Sequence, residues 1–164
     1  MAVDSPPGVG HIAKLMKSLL GQNVTAREVD DKLVHGRPDT PTYAALYASQ
    51  YGDVCAVAIC EFPLAAAAGA CLGLIPPARV DEWIATRQVP PEGIENFCEV
   101  LNVVAGAFNE NYPGRHVRLR ALLLPGQVPP QLDVRQLLDG TVPGINMHVD
   151  IDRYPGGRLT LRSR

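Results

Sequence analysis

Apolar and polar positions along the chain fall into blocks with different periods, and each block predicts an element. From His11 to Leu20, Ile12, Leu15, Met16, Leu19 and Leu20 recur at helical spacing, so this stretch predicts an amphipathic helix that stops at Gly21-Gln22. Asn23 to Leu33 reads as a polar strand or an irregular connection, and His35 to Thr40, rich in Gly and Pro, as a loop. Two apolar runs follow, Thr42 to Ala48 and Val54 to Phe62. Ser49-Gln50-Tyr51-Gly52-Asp53 lies between them, which predicts a hairpin. Pro63 then opens a helix whose body, Leu64 to Leu74, is so alanine-rich and uncharged that it must be largely buried.

After Pro76-Pro77 a short helix is expected over Arg79 to Thr86. Pro90-Pro91 start a longer one, Glu92 to Asn109, closed by Asn111-Tyr112-Pro113-Gly114. Arg115 to Leu124 alternates as a strand, and Leu132 to Leu138 adds a helical turn. Ile145, Met147, Val149 and Ile151 alternate up to a turn at Tyr154-Pro155-Gly156-Gly157, and Arg158 to Leu161 returns. Short links favour antiparallel pairing. The expected class is therefore α+β, an antiparallel sheet packed against long helices, in one domain over residues 1–164 with residues 1–8 loosely ordered.

Composition narrows the function classes. Among 164 residues, 46% are hydrophobic and 20% charged, enough apolar surface to offset chain entropy. Fifteen basic against seventeen acidic side chains give a net charge of −2, which favours neither nucleic acid nor an anionic membrane. The first ten residues lack the basic-then-apolar layout of a signal peptide, and Phe62 to Pro77 is too short to span a bilayer, so a cytoplasmic location is expected. Cys55, Cys60, Cys71 and Cys98 form no C-x-x-C pair and read as small buried hydrophobes. Gly8-Val9-Gly10 precedes a helix but follows no strand, so it is not a dinucleotide loop.

The helix over Glu92 to Asn109 carries the most information. Ile94, Phe97, Cys98, Leu101, Val104, Ala105 and Phe108 make its core face, and Glu95, Glu99, Asn102, Gly106 and Asn109 a second stripe. That stripe is a poor choice for helix stability. Two like charges at i, i+4 cost about 0.2–0.5 kcal/mol, and a mid-helix glycine costs about 1 kcal/mol against alanine. A surface that another backbone must approach closely, with an acid and an amide projecting into it, accounts for the choice. The residues also fit a bland account: acids suited to a helix start, a glycine beneath a packed strand, and an ordinary exposed amide.

Glu95-x-x-x-Glu99-x-x-Asn102, followed after twenty-two residues by Pro125, resembles the signature of the CheC/CheX family of chemotaxis phosphatases. That signature reads Asp or Ser, three residues, Glu, two residues, Asn, twenty-two residues, Pro. The likeness extends over roughly Thr42 to Leu161, and the single motif is more like CheX than the double-motif CheC. Glu95 departs from the pattern. The resemblance implies a CheX-like fold and hydrolysis of phosphoaspartate on a response-regulator receiver domain, the partner. Asn102 would orient the attacking water and Glu99 would pair with the receiver's lysine. Glu95 and Gly106 would touch the partner, Gly106 by letting the helix approach. No cofactor of the chain's own is implied, since Mg²⁺ would be held by the receiver, and a homodimer is expected by the same analogy. The alternative is a CheX-like module that binds or dimerises without turnover.

Other candidates are weaker. Asn146, His148, Asp150 and Asp152 alternate along one strand face and could be drawn as a metal site. The same alternation is what a half-exposed strand shows, and that reading is preferred, so no metal site is assigned. Arg115, Arg118, Arg120, Arg153, Arg158, Arg162 and Arg164 gather near the end; without interleaved aromatics they read as solvated or ion-paired. Trp83, the one tryptophan, is expected as a core or interface anchor.

Overall fold

The hairpin that begins at Thr42 forms the middle of the sheet. In the computed structural model, which describes residues 8–111 and 114–164, β2 (Thr42–Ser49) and β3 (Val54–Glu61) pair antiparallel, with Tyr47 opposite Ala56. The other elements are α1 (Val9–Leu20), β1 (Val24–Glu28), α2 (Phe62–Leu72), α3 (Pro77–Thr86), α4 (Pro91–Asn111), β4 (Val117–Leu123), α5 (Leu132–Leu138), β5 (Gly144–Ile151) and β6 (Gly157–Ser163). The six strands form one antiparallel sheet in the order β1-β5-β6-β3-β2-β4, which leaves β1 and β4 as edges. This is the expected α+β architecture. The expectations for residues 1–7 and for Tyr112 and Pro113 lie outside the described residues.

Strand alternation sorts side chains to the two faces. Tyr43, Ala45 and Tyr47 from β2, Ala58 and Cys60 from β3, and Met147, Val149 and Ile151 from β5 meet α1, α2 and α4 in the main core. On the opposite face Ala44, Leu46, Val57 and Ile59 pack under α5 with Leu33 in a smaller core. The alanines of α2 let it lie deep: a Cβ added at Gly69 would collide with the Gly93 carbonyl of α4. No helix of the described residues is long and apolar enough to cross a membrane.

Most boundaries moved by one to three residues. The α2 helix starts at Phe62, because that residue is drawn onto Tyr43, their rings stacked at 5.6 Å. The arginine group needs a larger correction. Arg162 is neither solvated nor ion-paired: it is 1% exposed and donates to the carbonyls of Leu137 and Leu33 at 2.9 and 2.6 Å. Arg158 is paired as expected, with Glu61 at 3.1 Å, and Arg164 with Asp133 at 2.9 Å.

Candidate functional site

The rotation of α4 is fixed from below by aromatic contacts with the sheet. Phe97 meets Tyr43 edge-on at 5.8 Å, and Phe108 meets Tyr47 at 5.4 Å. Between them the Tyr47 hydroxyl donates to the Leu101 carbonyl at 2.8 Å. With Phe97, Leu101, Val104 and Phe108 held against the sheet, the 100° step per residue turns Glu95, Glu99 and Asn102 outward, and all three are exposed. The buried arc is wider than the apolar stripe suggested. Val100 and Ala107 are also inside, against the neighbouring helices, whereas Ile94 and Cys98 are only half-buried.

Glu99 and Asn102 are i, i+3 neighbours, whose Cβ atoms stand about 5–6 Å apart on a helix. Among the described residues, no side chain hydrogen-bonds or ion-pairs with Glu95, Glu99 or Asn102. An acid and an amide are thus held on a rigid helix with their bonding capacity unspent. The field of the two acids reaches Cys98: burial first, then Glu99 and Glu95, push its thiol pKa up. Gly106 lies one turn further on, and a Cβ added there would meet nothing within 4 Å. No clash among the described residues requires a glycine at this position. Asn109, placed in the same stripe by its spacing, is otherwise employed. It brackets β4, donating to the Val117 carbonyl at 3.2 Å and accepting from the Val117 amide at 2.7 Å.

Pro125 follows β4 in the turn Leu124-Pro125-Gly126-Gln127. Gly126 has φ 86°, and the Gln127 amide donates to the Leu124 carbonyl at 3.0 Å, as a Pro-Gly turn of type II requires. The turn is tied down by His35. A carbonyl only accepts, so His35 Nε2 carries the proton donated to the Gln127 carbonyl at 2.8 Å. Nδ1 therefore accepts the Thr42 hydroxyl, also at 2.8 Å. Burial lowers the His35 pKa more than the bond to Gln127 raises it.

Pro125 shares a groove with Glu95, and Asn102 is not among the residues that line it. The groove, of about 1020 Å³, lies between α3, the start of α4 and the end of β4, with Trp83 in its wall. The sequence reading missed this groove, whose walls come from distant segments; the Leu-Pro-Gly turn signal and the tryptophan were its only visible parts. Trp83 is 5% exposed, an anchor as expected. Among the described residues no three His, Cys, Asp or Glu side chains are grouped to hold a metal. His148 pairs with Asp150 at 3.2 Å, and Asn146 accepts the Thr160 hydroxyl at 2.8 Å.

No family model matches the chain, and no curated protein sequence matches it. Solved structures do. FliY of Thermotoga maritima superposes with a TM-score of 0.63 at 13% identity, over 96% of this chain and 84% of that one. The FliM middle domain of H. pylori gives 0.62 at 11%, over 94% and 84%. CheX in the CheX-CheY-BeF3-Mg complex of Borrelia burgdorferi gives 0.53 at 10%, over 93% and 92%. The fold is that of CheX and of the FliM and FliY domains. At these identities the likeness is one of architecture, and the FliM domain has also been solved in complex with FliG, at 11% identity to this chain.

Proposed function

We propose that the chain hydrolyses the phosphoaspartate of a response-regulator receiver domain, with Asn102 and Glu99 as the working pair. The observation that carries this reading is their joint exposure on α4, without side-chain partners among the described residues, one turn before a glycine at which an added Cβ would meet nothing within 4 Å. An acyl phosphate is already reactive, and phosphoryl transfer needs mainly alignment and charge stabilisation. The neutral amide of Asn102 both donates and accepts, so it can hold a water in line with phosphorus. The water oxygen bonds to phosphorus, the bond from phosphorus to the aspartyl oxygen breaks, and the carboxylate leaves as inorganic phosphate is released. The water's protons pass to the phosphate and solvent. Glu99 pairs with the receiver's lysine and fixes the helix over the site, while the receiver supplies Mg²⁺. A CheX of this fold stands in a complex with CheY, BeF3 and Mg, which supports the pairing of such a domain with a receiver.

Phosphate release from phosphorylated receivers of the same organism, with this protein and with Asn102→Ala, tests the reading. The expected result is acceleration by the parent and loss of about 10² in rate in the variant. Equal rates with every receiver would end it.

A second reading is docking without turnover. It is favoured by Glu95, which replaces the shorter Asp or Ser, and by a FliM neighbour found in complex with FliG. Stable capture of a phosphorylated receiver without faster hydrolysis would select it. A homodimer is compatible with both readings; β1 and β4 are the edge strands of the sheet.

A further inference from the structure

We infer that the groove between α3 and the first turns of α4 is the receiver's second point of attachment, and that it takes an apolar side chain of that receiver. This rests on the phosphatase reading above and adds to it a site that the Glu99/Asn102 pair does not include. Area is the first argument. A specific protein–protein contact covers about 800 Å² per partner, and even transient ones need several hundred. The exposed stripe consists of two acids, one amide and a glycine, which is too little by itself. A receiver seated on Asn102 must extend its contact along α4 in one direction. Toward the C-terminal end Asn109 is spent on Val117, and Glu110 lies 2.6 Å from His11. Toward the N-terminal end lies Glu95, one turn before Glu99, which already lines the groove.

The lining of the groove is the second argument. Trp83, Ile94, Leu124 and Pro125 are among the apolar residues that line it, and Leu124 is 44% exposed. Its charges are unequal in state. Arg79 and Glu82 satisfy each other at 3.4 Å, while neither Arg87 nor Glu95 has a side-chain partner among the described residues. Arg87 caps α3 in the left-handed region at φ 53°, a conformation natural to glycine. An arginine kept there, lining the same groove as Glu95 and several apolar residues, matches a partner segment that presents an apolar residue between an acid and a base.

Trp83 provides the test, because it is the only tryptophan. The full chain is labelled with 5-fluorotryptophan and titrated with receiver domains of the same organism loaded with beryllofluoride, which is not hydrolysed, and Mg²⁺. The fluorine resonance is expected to shift on saturation. Leu124→Glu and Arg87→Gly are each expected to raise the dissociation constant at least tenfold. Tyr51→Ser, at the β2–β3 turn away from the groove, should stay within twofold. Arg87→Gly must melt no lower than the parent, since glycine suits that φ, so weaker binding cannot be blamed on folding. If a receiver binds but the resonance is unmoved and both groove variants bind within twofold, the groove is not part of the contact and the phosphatase reading survives. If the resonance responds to dilution of the labelled chain alone, a second copy is the occupant and the inference fails. If no receiver binds, the phosphatase reading falls and takes this one with it.

Discussion

The Tyr47 hydroxyl donates to the Leu101 carbonyl at 2.8 Å, one residue before Asn102, so the sheet grips α4 directly beneath the proposed site. Tyr47 is 0% exposed, and burial raises its pKa, as expected of a phenol that stays protonated and donates. Tyr47→Phe keeps the ring against Phe108 and removes only this bond. The expected loss is about 0.5–1.5 kcal/mol in urea unfolding. Phosphate release should also fall, but less than with Asn102→Ala, because α4 stays docked while its pitch over the receiver loosens.

Gly106 separates the needs of the fold from those of the partner. A methyl group there meets no neighbour within 4 Å, and alanine is the better helix former. Gly106→Ala is therefore expected to stabilise the protein by about 0.5–1 kcal/mol. If another backbone must come close at this point, the same variant should lose at least about tenfold in phosphate release, since displacement of about 1 Å can cost on the order of 10²-fold. A more stable variant with undiminished release would remove Gly106 from the contact surface.

How much of this could be read from the residues depends on the range of the forces involved. The β2–β3 hairpin and α2 were legible because their signals are local: two apolar runs around Gly52, and a proline followed by uncharged alanines. The rotation of α4 was legible on one flank only. Val100 and Ala107 are buried on a flank of α4 that packs against other helices, α2 coming so close that a Cβ at Gly69 would strike the Gly93 carbonyl, and no period announces that packing. Asn109 has the spacing of an exposed residue and the chemistry of a strand clamp, and only the arrival of Val117 decides between them. Arg162 sits in the polar phase of β6, and alternation says nothing about the roof that α5 and Leu33 build over it. The groove draws on α3, α4 and the turn after β4, so it exists only once they are assembled.

His35 makes stability depend on pH. Its folded pKa is lowered from 6.5 by burial, so the folded state resists a proton that the unfolded chain accepts. Above 6.5 both states are neutral and nothing is lost. As pH falls through 6.5 the unfolded state binds more protons, and stability declines until the folded pKa is reached. Asp53, Asp133 and Asp139 act in a separate window. Their pKa values are lowered from 3.8, chiefly by hydrogen bonds from Ser49, Arg164 and Thr141, so what they contribute is lost only in more acid solution. Urea unfolding should thus show a fall between pH 8 and pH 5.5 that flattens in His35→Gln. A parent curve already flat over that range would contradict the His35 assignment.

Arg162 decides whether α5 stays on the sheet. Burial opposes its charge and lowers its pKa, and at 1% exposure water offers no help. Two carbonyls do the work, Leu137 in the last turn of α5 and Leu33 in the segment before β2. A cation at a helix C-terminus is favourable, and the flat guanidinium reaches both oxygens at once. In Arg162→Met the desolvation penalty disappears, but two buried carbonyls lose their donor, at about 1–3 kcal/mol each. The second effect is the larger, so a net loss of about 2–4 kcal/mol is expected in urea unfolding. Hydrogen exchange should rise first in α5 and in the segment around Leu33, before β2 and β3 open. If the methionine variant were as stable as the parent, the penalty for burying the charge would equal the two bonds, and the arginine would not be what fastens α5.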